Sequence, residues 1–347
     1  MYRNNYTQKI NNKLNRISDD IKKNKNRRKN ITELEYLLNQ PYFKTRIKLL
    51  LFKLYMQVRK IDKAYVLIKE LYDTTKDTDA LFDFVKLLLD IGDIENAKKY
   101  LEDADYSEMK IFLLGLFNKY EGNYAEAIKY LEKLNHTIME GDMHIELSNV
   151  YSQMGDLKKE KEELEKLFNT DKKYQAKIRI IKNAFGQNDP ELPKLISFFD
   201  YDNCNHQGDL LQFKRCVKYY KYLNGQLKEE DLENYSDWQL YNYSKERAII
   251  HINKRHASSG SLYKIADDIN TVELYDYCVN HLNILLRRDD TDVYLVEMPY
   301  DVSEQMGYKT NLVEVLTIPN TTHILTLYPV AKVGMYTKRL EEKKHEK

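Results

Sequence analysis

The chain has 347 residues, of which 42% are apolar, so it can bury a large core, and its length is typical of about two domains. Charged residues make up 31%, but the net charge is only +1, which argues against a protein whose overall field binds nucleic acid. No apolar run reaches about 18 residues and the three cysteines lack metal-ligand spacing, so we expect no membrane span, no metal, no cofactor and a reducing, cytoplasmic setting.

Residues 1–44 are expected to form a basic N-terminal helix that caps the helices after it. Ile10, Leu14, Ile17 and Ile21 recur at helical spacing and share one face, and a basic run over residues 22–29 follows them. Two interpretations are open. The apolar face packs on the next helices with a solvated charged turn behind it, or the segment binds RNA phosphates, an acidic partner or a membrane surface.

A helical hairpin recurs along residues 45–170. A small residue is expected where the two helices of a hairpin cross, and the aligned positions, spaced by 33, 30 and 33 residues, are Ala64, Ala97, Ala127 and Glu160. A period of this size is typical of a solenoid. A turn that tolerates positive φ is expected inside three hairpins, at Gly92, Gly122 and Gly155. Glu160 departs from the small-residue pattern, which predicts a looser last hairpin.

Large apolar residues at helical spacing form the expected shared core of these hairpins. They are Leu51 and Phe84 on first helices, and Ile68, Leu101, Leu131 and Leu164 on second helices. Together with Leu114-Gly115 and the stretch Gly-Asn-Tyr-Ala-Glu-Ala-Ile at residues 122–128, this pattern resembles the tetratricopeptide repeat family over about residues 45–170.

The resemblance implies a concave groove, formed by the first helix of each hairpin, that binds a peptide or another protein. By the family register, the side chains facing this groove would be Arg46, Lys53, Phe82, Lys86, Phe112, Leu116, Lys119 and Asn149. Basic and aromatic residues together favour an acidic segment with an apolar anchor. The alternative is that these residues form an ordinary solvated face.

Beyond residue 170 the repeat signal fades, although helical patterning continues through Ile178 and Ile181, and again through Leu210, Phe213 and Val217. We expect further, degenerate helices of the same unit up to about residue 236. A polar interval over residues 224–236 is the expected joint to a second domain over 237–347.

The C-terminal domain changes from helical to strand patterning. Residues 272–288 show apolar spacing that predicts one helix, through Leu274, Cys278 and Leu285. Three segments rich in β-branched and aromatic residues then predict strands, at 293–298, 311–318 and 323–328, and the turn sequence at 319–322 predicts an antiparallel hairpin of the last two. The expected fold is therefore mainly α, with a tetratricopeptide-like α-solenoid followed by a small α+β domain that ends in an antiparallel sheet.

Candidate chemical residues of this domain cluster around two histidines. They are His251, Lys254, Arg255 and His256, with Thr326 and Tyr328 on the last strand. An ordinary helix or strand does not place both histidines on one face, so a single histidine is expected as general acid or base, near its unperturbed pKa of about 6.5. A small, flexible segment at residues 258–261 could bind phosphate or be a plain loop.

The helix-then-sheet order and the early His/Lys/Arg cluster resemble small ribonucleases of the barnase, EndoU and RelE-like group. The resemblance implies metal-independent RNA cleavage, which needs a base, an acid and groups that stabilise the phosphorane charge. The second acid or base is open among Glu297, Glu314 and His323. The plain alternative is that the histidines satisfy local hydrogen bonds and the cations are solvated.

Two functions therefore remain open. The first is a protein-interaction protein of a low-GC bacterium or phage, with a peptide or protein in the groove and the C-terminal domain as output module. The second is a ribonuclease, as a toxin or defence effector, in which RNA binds the C-terminal domain or the basic N-terminus. The frequent Tyr, Lys, Asn and Ile indicate AT-rich coding, and oligomeric state is open.

Overall fold

The computed structural model describes most of the chain. The described residues are 2–40, 42–58, 60–187, 189–197, 199, 203–204, 207–228, 244–257, 264–288, 291–305 and 307–346. The expected domain boundary near residue 236 and the segment at residues 258–261 lie outside them. Among the described residues, no helix combines the length and the apolar character needed to cross a membrane.

The N-terminal unit is built from helices, most of them paired as hairpins. They are α1 (Tyr2–Lys22), α2 (Arg27–Leu37), α3 (Lys44–Gln57), α4 (Ile61–Thr75), α5 (Thr78–Asp90), α6 (Ile94–Glu102), α7 (Glu108–Tyr120), α8 (Tyr124–Leu131), α9 (Glu140–Met154), α10 (Leu157–Glu165), α11 (Lys173–Gly186), α12 (Leu192–Ser197) and α13 (Gln207–Leu223). A 3₁₀ turn at Glu132–Leu134 follows α8. The apolar face of α1 is buried, with Ile10, Leu14 and Ile17 at most 2% exposed in the same core as the residues of α3 to α9.

The hairpins α3/α4, α5/α6 and α7/α8 cross closely at the predicted small residues. Ala64, Ala97 and Ala127 are 0% exposed, so each is enclosed by the two helices of its hairpin and their neighbours. A Cβ added at Gly115 of α7 would lie 2.7 Å from Leu131 Cδ2 of α8, which leaves no room for a larger residue. The helical solenoid predicted from the repeat spacing is confirmed.

The turns inside the hairpins also follow the sequence pattern. Gly92, Gly122 and Gly155 have φ of 82°, 75° and 76°, the left-handed region that glycine adopts without strain. The residues after two of them cap the next helix: Asp93 Oδ1 accepts from the Asn96 amide at 3.3 Å, and Asp156 Oδ1 accepts from the Lys159 amide at 3.1 Å. The Gly-Asp pair therefore ends one helix and begins the next.

A buried ion pair occupies the fourth crossing position. Glu160 of α10 is 0% exposed, and its Oε1 accepts a hydrogen bond from Arg179 Nε of α11 at 2.5 Å.

The helices predicted after residue 170 are present as α11 and α13. The core between α11 and α13 includes Phe199 and Phe213, whose rings stack with centroids 3.9 Å apart.

The C-terminal domain begins with helices and ends with a sheet and a last helix. Its elements are α14 (Lys245–Ile252), a π-helical turn (Asn253–Ala257), α15 (Thr271–Val279), β1 (Ile284–Arg288), β2 (Asp292–Glu297), β3 (Ser303–Gln305), β4 (Tyr308–Thr310), β5 (Leu312–Thr317), β6 (Ile324–Pro329) and α16 (Gly334–His345). The main sheet has the strand order β1-β2-β5-β6 with antiparallel neighbours, and β3 pairs with β4 separately. The three predicted strands and their hairpin are confirmed as β2, β5 and β6.

The single helix predicted over residues 272–288 is wrong. Helix α15 ends at Val279, and residues 284–288 form β1, an additional strand that pairs with β2. Leu274 and Cys278 are 0% exposed on α15, whereas Leu285 of β1 is 37% exposed. Apolar residues of two consecutive elements happened to fall at helical spacing, and the pairing of Ile284 with Leu295 overrides it.

The main sheet separates two apolar layers. One face carries Val296, Val313 and Val315 and packs on α14 and α15. The other face carries Leu295 and Leu312 and packs with Leu340 of α16. This second face, together with α16, is turned toward the solenoid. It meets α7, α8 and α9 in the region described next.

Candidate functional site

The first helices of the hairpins supply the expected groove residues, but their surroundings differ along the solenoid. Lys53 of α3 and Lys86 of α5 are exposed, and Phe82 is half-buried with its ring 5.8 Å from that of Phe112. Between the two lysines, burial raises the pKa of Asp83 to about 6, and the charges of Lys53 and Lys86 oppose that rise. This end of the face is accessible and carries both charge and an aromatic ring.

Three of the expected groove residues are engaged inside the unit. Phe112 and Leu116 of α7 are 3% and 1% exposed and pack in the solenoid core instead of facing solvent. Arg46 of α3 donates to Asn11 Oδ1 at 2.7 Å and to Asn15 Oδ1 at 2.6 Å, so α1 covers it. The repeat register did not account for α1, which precedes the predicted repeats.

Farther along, the polar residues of three successive first helices bind one another. Lys119 Nζ of α7 donates to Glu146 Oε2 of α9 at 2.7 Å, and Asn149 Nδ2 donates to the same oxygen at 3.1 Å. Arg179 of α11 donates to Asn149 Oδ1 and to Glu160. Burial would raise the pKa of Glu146, but Lys119 and Asn149 together hold it below its usual value. Lys119 and Asn149, both expected to face a partner, are thus already paired.

The C-terminal domain docks on the turns of three consecutive hairpins. Gly334, at the start of α16, lies so close to the α7/α8 turn that an added Cβ would be 2.6 Å from the Glu121 carbonyl oxygen. Lys338 Nζ donates to the Gly122 carbonyl at 3.2 Å, and Arg339 donates to the Gln153 carbonyl at the end of α9.

Tyr308 of β4 reaches the α5/α6 turn in the same way. Burial raises the pKa of Tyr308 to about 12, and its hydrogen bond to Asp93 acts in the same direction. The α5/α6, α7/α8 and α9/α10 turns lie on one edge of the solenoid, which is therefore the docking edge.

A cavity of about 220 Å³ remains between the docked units. The solenoid lines it with Lys119, Tyr124, Asn149, Ser152, Gln153 and Arg179, and the C-terminal domain with Leu286, Arg287, Glu314, Met335, Tyr336 and Arg339. Glu314 is 7% exposed and accepts from Tyr328 at 2.7 Å and from Tyr336 at 3.0 Å. Burial raises the pKa of Tyr336 well above its ordinary value, with the charge of Glu314 adding to the shift. Tyr336 therefore remains a protonated donor.

The two histidines lie together, contrary to the expectation from an ordinary helix. The π-helical turn at Asn253–Ala257 continues α14, and the ring centroids of His251 and His256 are 5.9 Å apart. A π-helix bonds residue i to i+5, so residues five apart share a face. His256 is also 5.3 Å from the ring of Tyr328, which joins this pair to Glu314.

The ribonuclease candidates around this histidine pair differ in their exposure to solvent. Lys254 and Arg255 are exposed, whereas Thr326 is 0% exposed and His256 is 6% exposed. Burial, with the charges of Arg255 and Lys254 acting in the same direction, lowers the pKa of His251 to about 4. A neutral His251 at pH 7 is a weak base and no acid, and RNA reaches Thr326 only if the surrounding residues move apart.

Sequence reasoning did not single out Arg179, Arg287, Arg339 or Tyr336. One sequence feature indicates the contact of Glu314 with Tyr328. Glu314 is a carboxylate inside an otherwise apolar strand, and the β5/β6 register sets it opposite Tyr328. The arginines gave no such signal, because they meet only when distant segments dock. Within the described residues, no cluster of three metal-ligating side chains occurs.

Comparison with known proteins agrees with the hairpin geometry. Residues 111–135 and 141–174 match the family model described as tetratricopeptide repeat. These segments include α7 with α8, and α9 with α10, the hairpins on which the C-terminal domain docks. No curated protein matches the chain.

Proposed function

The chain is a tetratricopeptide-like repeat protein, and from this premise we propose that it binds a peptide or protein segment on the open end of its concave face. The observation that carries the proposal is the contrast between exposed Lys53 and Lys86 and the paired Lys119. Two exposed cations beside the half-buried Phe82 favour an acidic segment with an apolar or aromatic anchor.

We propose the docked C-terminal domain as the output module of this interaction. Its contacts with the α5/α6, α7/α8 and α9/α10 turns support this role, because a segment that binds α5 lies one hairpin away from Gly122 and Gly334. A bound partner that shifts α5 relative to α7 changes the surface on which α16 rests. A low-GC bacterium or phage remains the expected source.

The test uses a random peptide library selected on the full-length protein. Peptides that are enriched are expected to combine acidic residues with an aromatic or aliphatic anchor. Their affinity is then measured for the wild type and for Lys53→Glu/Lys86→Glu, where we expect a loss of at least about tenfold, equivalent to about 1.4 kcal/mol.

The matched control is Lys98→Glu/Lys99→Glu, which reverses two exposed charges on α6, the second helix of its hairpin. It changes the net charge equally, so general electrostatics affects both double variants alike. Equal loss in the two, or a library without enriched peptides, argues against the open end as the partner site. Circular dichroism checks the fold of each variant.

A second candidate function is metal-independent RNA cleavage, favoured by the meeting of His251, His256 and Tyr328. In this proposal His256 acts as acid or base, because burial holds His251 neutral and suits it to a hydrogen-bonding role. The exposed Lys254 and Arg255 would bind the RNA backbone.

The test of this second candidate incubates the protein with total RNA in EDTA. We expect cleavage that is lost in His256→Ala and reduced in His251→Ala, with Lys254→Ala/Arg255→Ala weakening it through substrate binding. A folded wild type without activity excludes the candidate, as does activity that persists in both histidine variants.

A further inference from the structure

The cavity between the docked units differs from the open end of the concave face, because residues from both units line it. It measures about 220 Å³, larger than the cavity of about 150 Å³ that holds benzene in an engineered protein core. Its twelve lining residues come equally from the solenoid and from the C-terminal domain. A small molecule bound there would contact both units at once.

The wall of the cavity is strongly cationic. Four lining residues are positively charged, Lys119, Arg179, Arg287 and Arg339, and one is negatively charged, Glu314. Three of the cations have acidic partners, but these partners are not among the lining residues: Glu146, Glu160 and Glu342. These ion pairs hold the three cations in position in the wall.

The single lining carboxylate is held in place by donors. Glu314 accepts from Tyr328 and Tyr336, and Arg287 Nη2 lies 3.9 Å from its Oε1. Both carboxylate oxygens are therefore already bonded to tyrosines. Among the lining residues themselves, four cations face one carboxylate, and this composition favours a ligand that carries negative charge.

One lining residue also has a side-chain acceptor without a donor. Within the described part of the chain, Gln153 Oε1 is buried and accepts no hydrogen bond, although the Gln153 carbonyl accepts from Arg339. A buried acceptor without a donor costs free energy, which a ligand hydroxyl or amino group would recover. Tyr124, Tyr336, Leu286 and Met335 supply the ring and apolar surface that a compact organic ligand requires.

We propose that this cavity binds a small phosphorylated molecule, no larger than a mononucleotide, through Arg287, Arg339 and Lys119, with a ligand hydroxyl donating to Gln153. Guanidinium groups match the geometry of phosphate oxygens, and a volume of about 220 Å³ is the size of a small molecule. This site lies at the opposite end of the concave face from the peptide surface and does not depend on it. A ligand held by both walls stabilises the docked arrangement by mass action.

The experiment measures binding by calorimetry and by the shift in melting temperature of the full-length protein. The phosphorylated probes are adenosine monophosphate and ribose 5-phosphate. Adenosine tests the ring without phosphate, and citrate tests negative charge without phosphate. We expect at least one phosphorylated probe to bind at least about tenfold more tightly than adenosine and citrate, and to raise the melting temperature.

Two kinds of variant locate the site. Arg287→Met and Arg339→Met remove cations of the wall, while Gln153→Glu keeps size and shape and adds a negative charge. Each is expected to weaken the phosphorylated probe at least about tenfold, whereas Arg28→Met, an exposed arginine of α2, leaves it unchanged. Arg339→Met also removes a contact between α16 and the solenoid, so its effect on binding could come from a loosened α16. Gln153→Glu keeps every cation that holds α16 in place and therefore tests ligand binding alone.

Three results overturn the proposal: no saturable binding of either phosphorylated probe, equal binding of citrate, or equal affinity in Gln153→Glu and the wild type. The Lys53→Glu/Lys86→Glu variant is expected to bind the phosphorylated probe as the wild type does. Failure of the peptide proposal and failure of this one are therefore separate outcomes.

Discussion

The two ends of the proposed concave face are built from equivalent helices, yet they differ in how exposed their cations are. At the N-terminal end Lys53 and Lys86 are exposed, whereas at the C-terminal end Lys119 is 7% exposed and bonded to Glu146. The difference arises because α16 and the sheet dock on the turns of the later hairpins. A repeat position therefore indicates which way a side chain points, while its neighbours decide whether a partner can reach it.

The energetic consequences of the two ends differ as well. Exposed charges contribute little to stability, so substitutions at Lys53 and Lys86 can be read as effects on binding. Buried pairs at the other end are expensive to break, because removing one partner leaves a charge without compensation. The predictions below use this contrast, starting with the largest expected effect.

Breaking the buried pair at the covered end should have the largest effect. Arg179→Met leaves Glu160, which is 0% exposed, without its cation, and we expect a loss of about 3–5 kcal/mol in the free energy of unfolding. The measurement is chemical denaturation. Adding Glu160→Ala, which restores the small residue of the other hairpins, should recover most of this loss. A double variant as unstable as Arg179→Met would contradict the prediction.

Separating the two units should have the next largest effect. Gly334→Ala places a Cβ 2.6 Å from the Glu121 carbonyl oxygen, so α16 must move, and we expect a loss of about 2 kcal/mol. Hydrogen exchange should rise in the α7/α8 turn and in α16. Gly141→Ala is the matched control, because its Cβ would meet only the flexible side chain of Lys172, with Cε at 3.2 Å. Unchanged exchange in Gly334→Ala would show that docking does not depend on this contact.

Acidification should affect the C-terminal domain and the open end in opposite directions. The folded-state pKa of His251 is lowered to about 4, so its contribution to stability is present above about pH 6.5 and is lost as the pH falls toward 4. Because His251 is partly exposed, we expect a loss of roughly 1–2 kcal/mol between pH 7.5 and 4.5. His251→Gln should flatten this part of the pH–stability curve. The folded-state pKa of Asp83 is raised to about 6. Protonation of Asp83 as the pH falls through part of the same interval therefore increases the free energy of unfolding.

The smallest expected effect concerns partner binding at the open end. Asp83, with its pKa raised to about 6, is mostly ionised at pH 7.5 and repels an acidic peptide, whereas at pH 5.5 it is mostly neutral. An enriched acidic peptide should therefore bind about two- to fivefold more tightly at pH 5.5. Asp83→Asn should bind with the tighter affinity at both pH values. If the pH dependence of peptide affinity persists in Asp83→Asn, a group other than Asp83 causes it.

The helical hairpins and three of the strands follow from local sequence patterns. Ala97, Gly122 and Leu131 predict their hairpins because small, turn-forming and apolar residues act over a few neighbouring positions. β1 was missed for the same reason, since its identity as a strand depends on pairing with β2. The pairing of His251 with His256 was missed because a π-helical turn changes the spacing that an ordinary helix would impose.

The candidate site residues also separate into those set by local sequence and those set by neighbouring helices. Lys53 and Lys86 are exposed, and their role in binding a partner stays a prediction. Phe112 and Leu116 pack inward, and Arg46 is covered by α1, because each depends on a neighbouring helix. The cavity cations Arg287 and Arg339 came from none of the sequence patterns considered.

The sequence by itself determined the repeating hairpins, the positive-φ turns and the antiparallel β5/β6 hairpin, since periodicity and turn chemistry act between residues that are close along the chain. Only the tertiary structure decided which cations stay exposed, that Gly334 lies against Glu121 and that Arg339 bonds to Gln153. Those contacts join residues separated by 186 positions and more, and depend on how two folded units fit together. No local pattern encodes that fit.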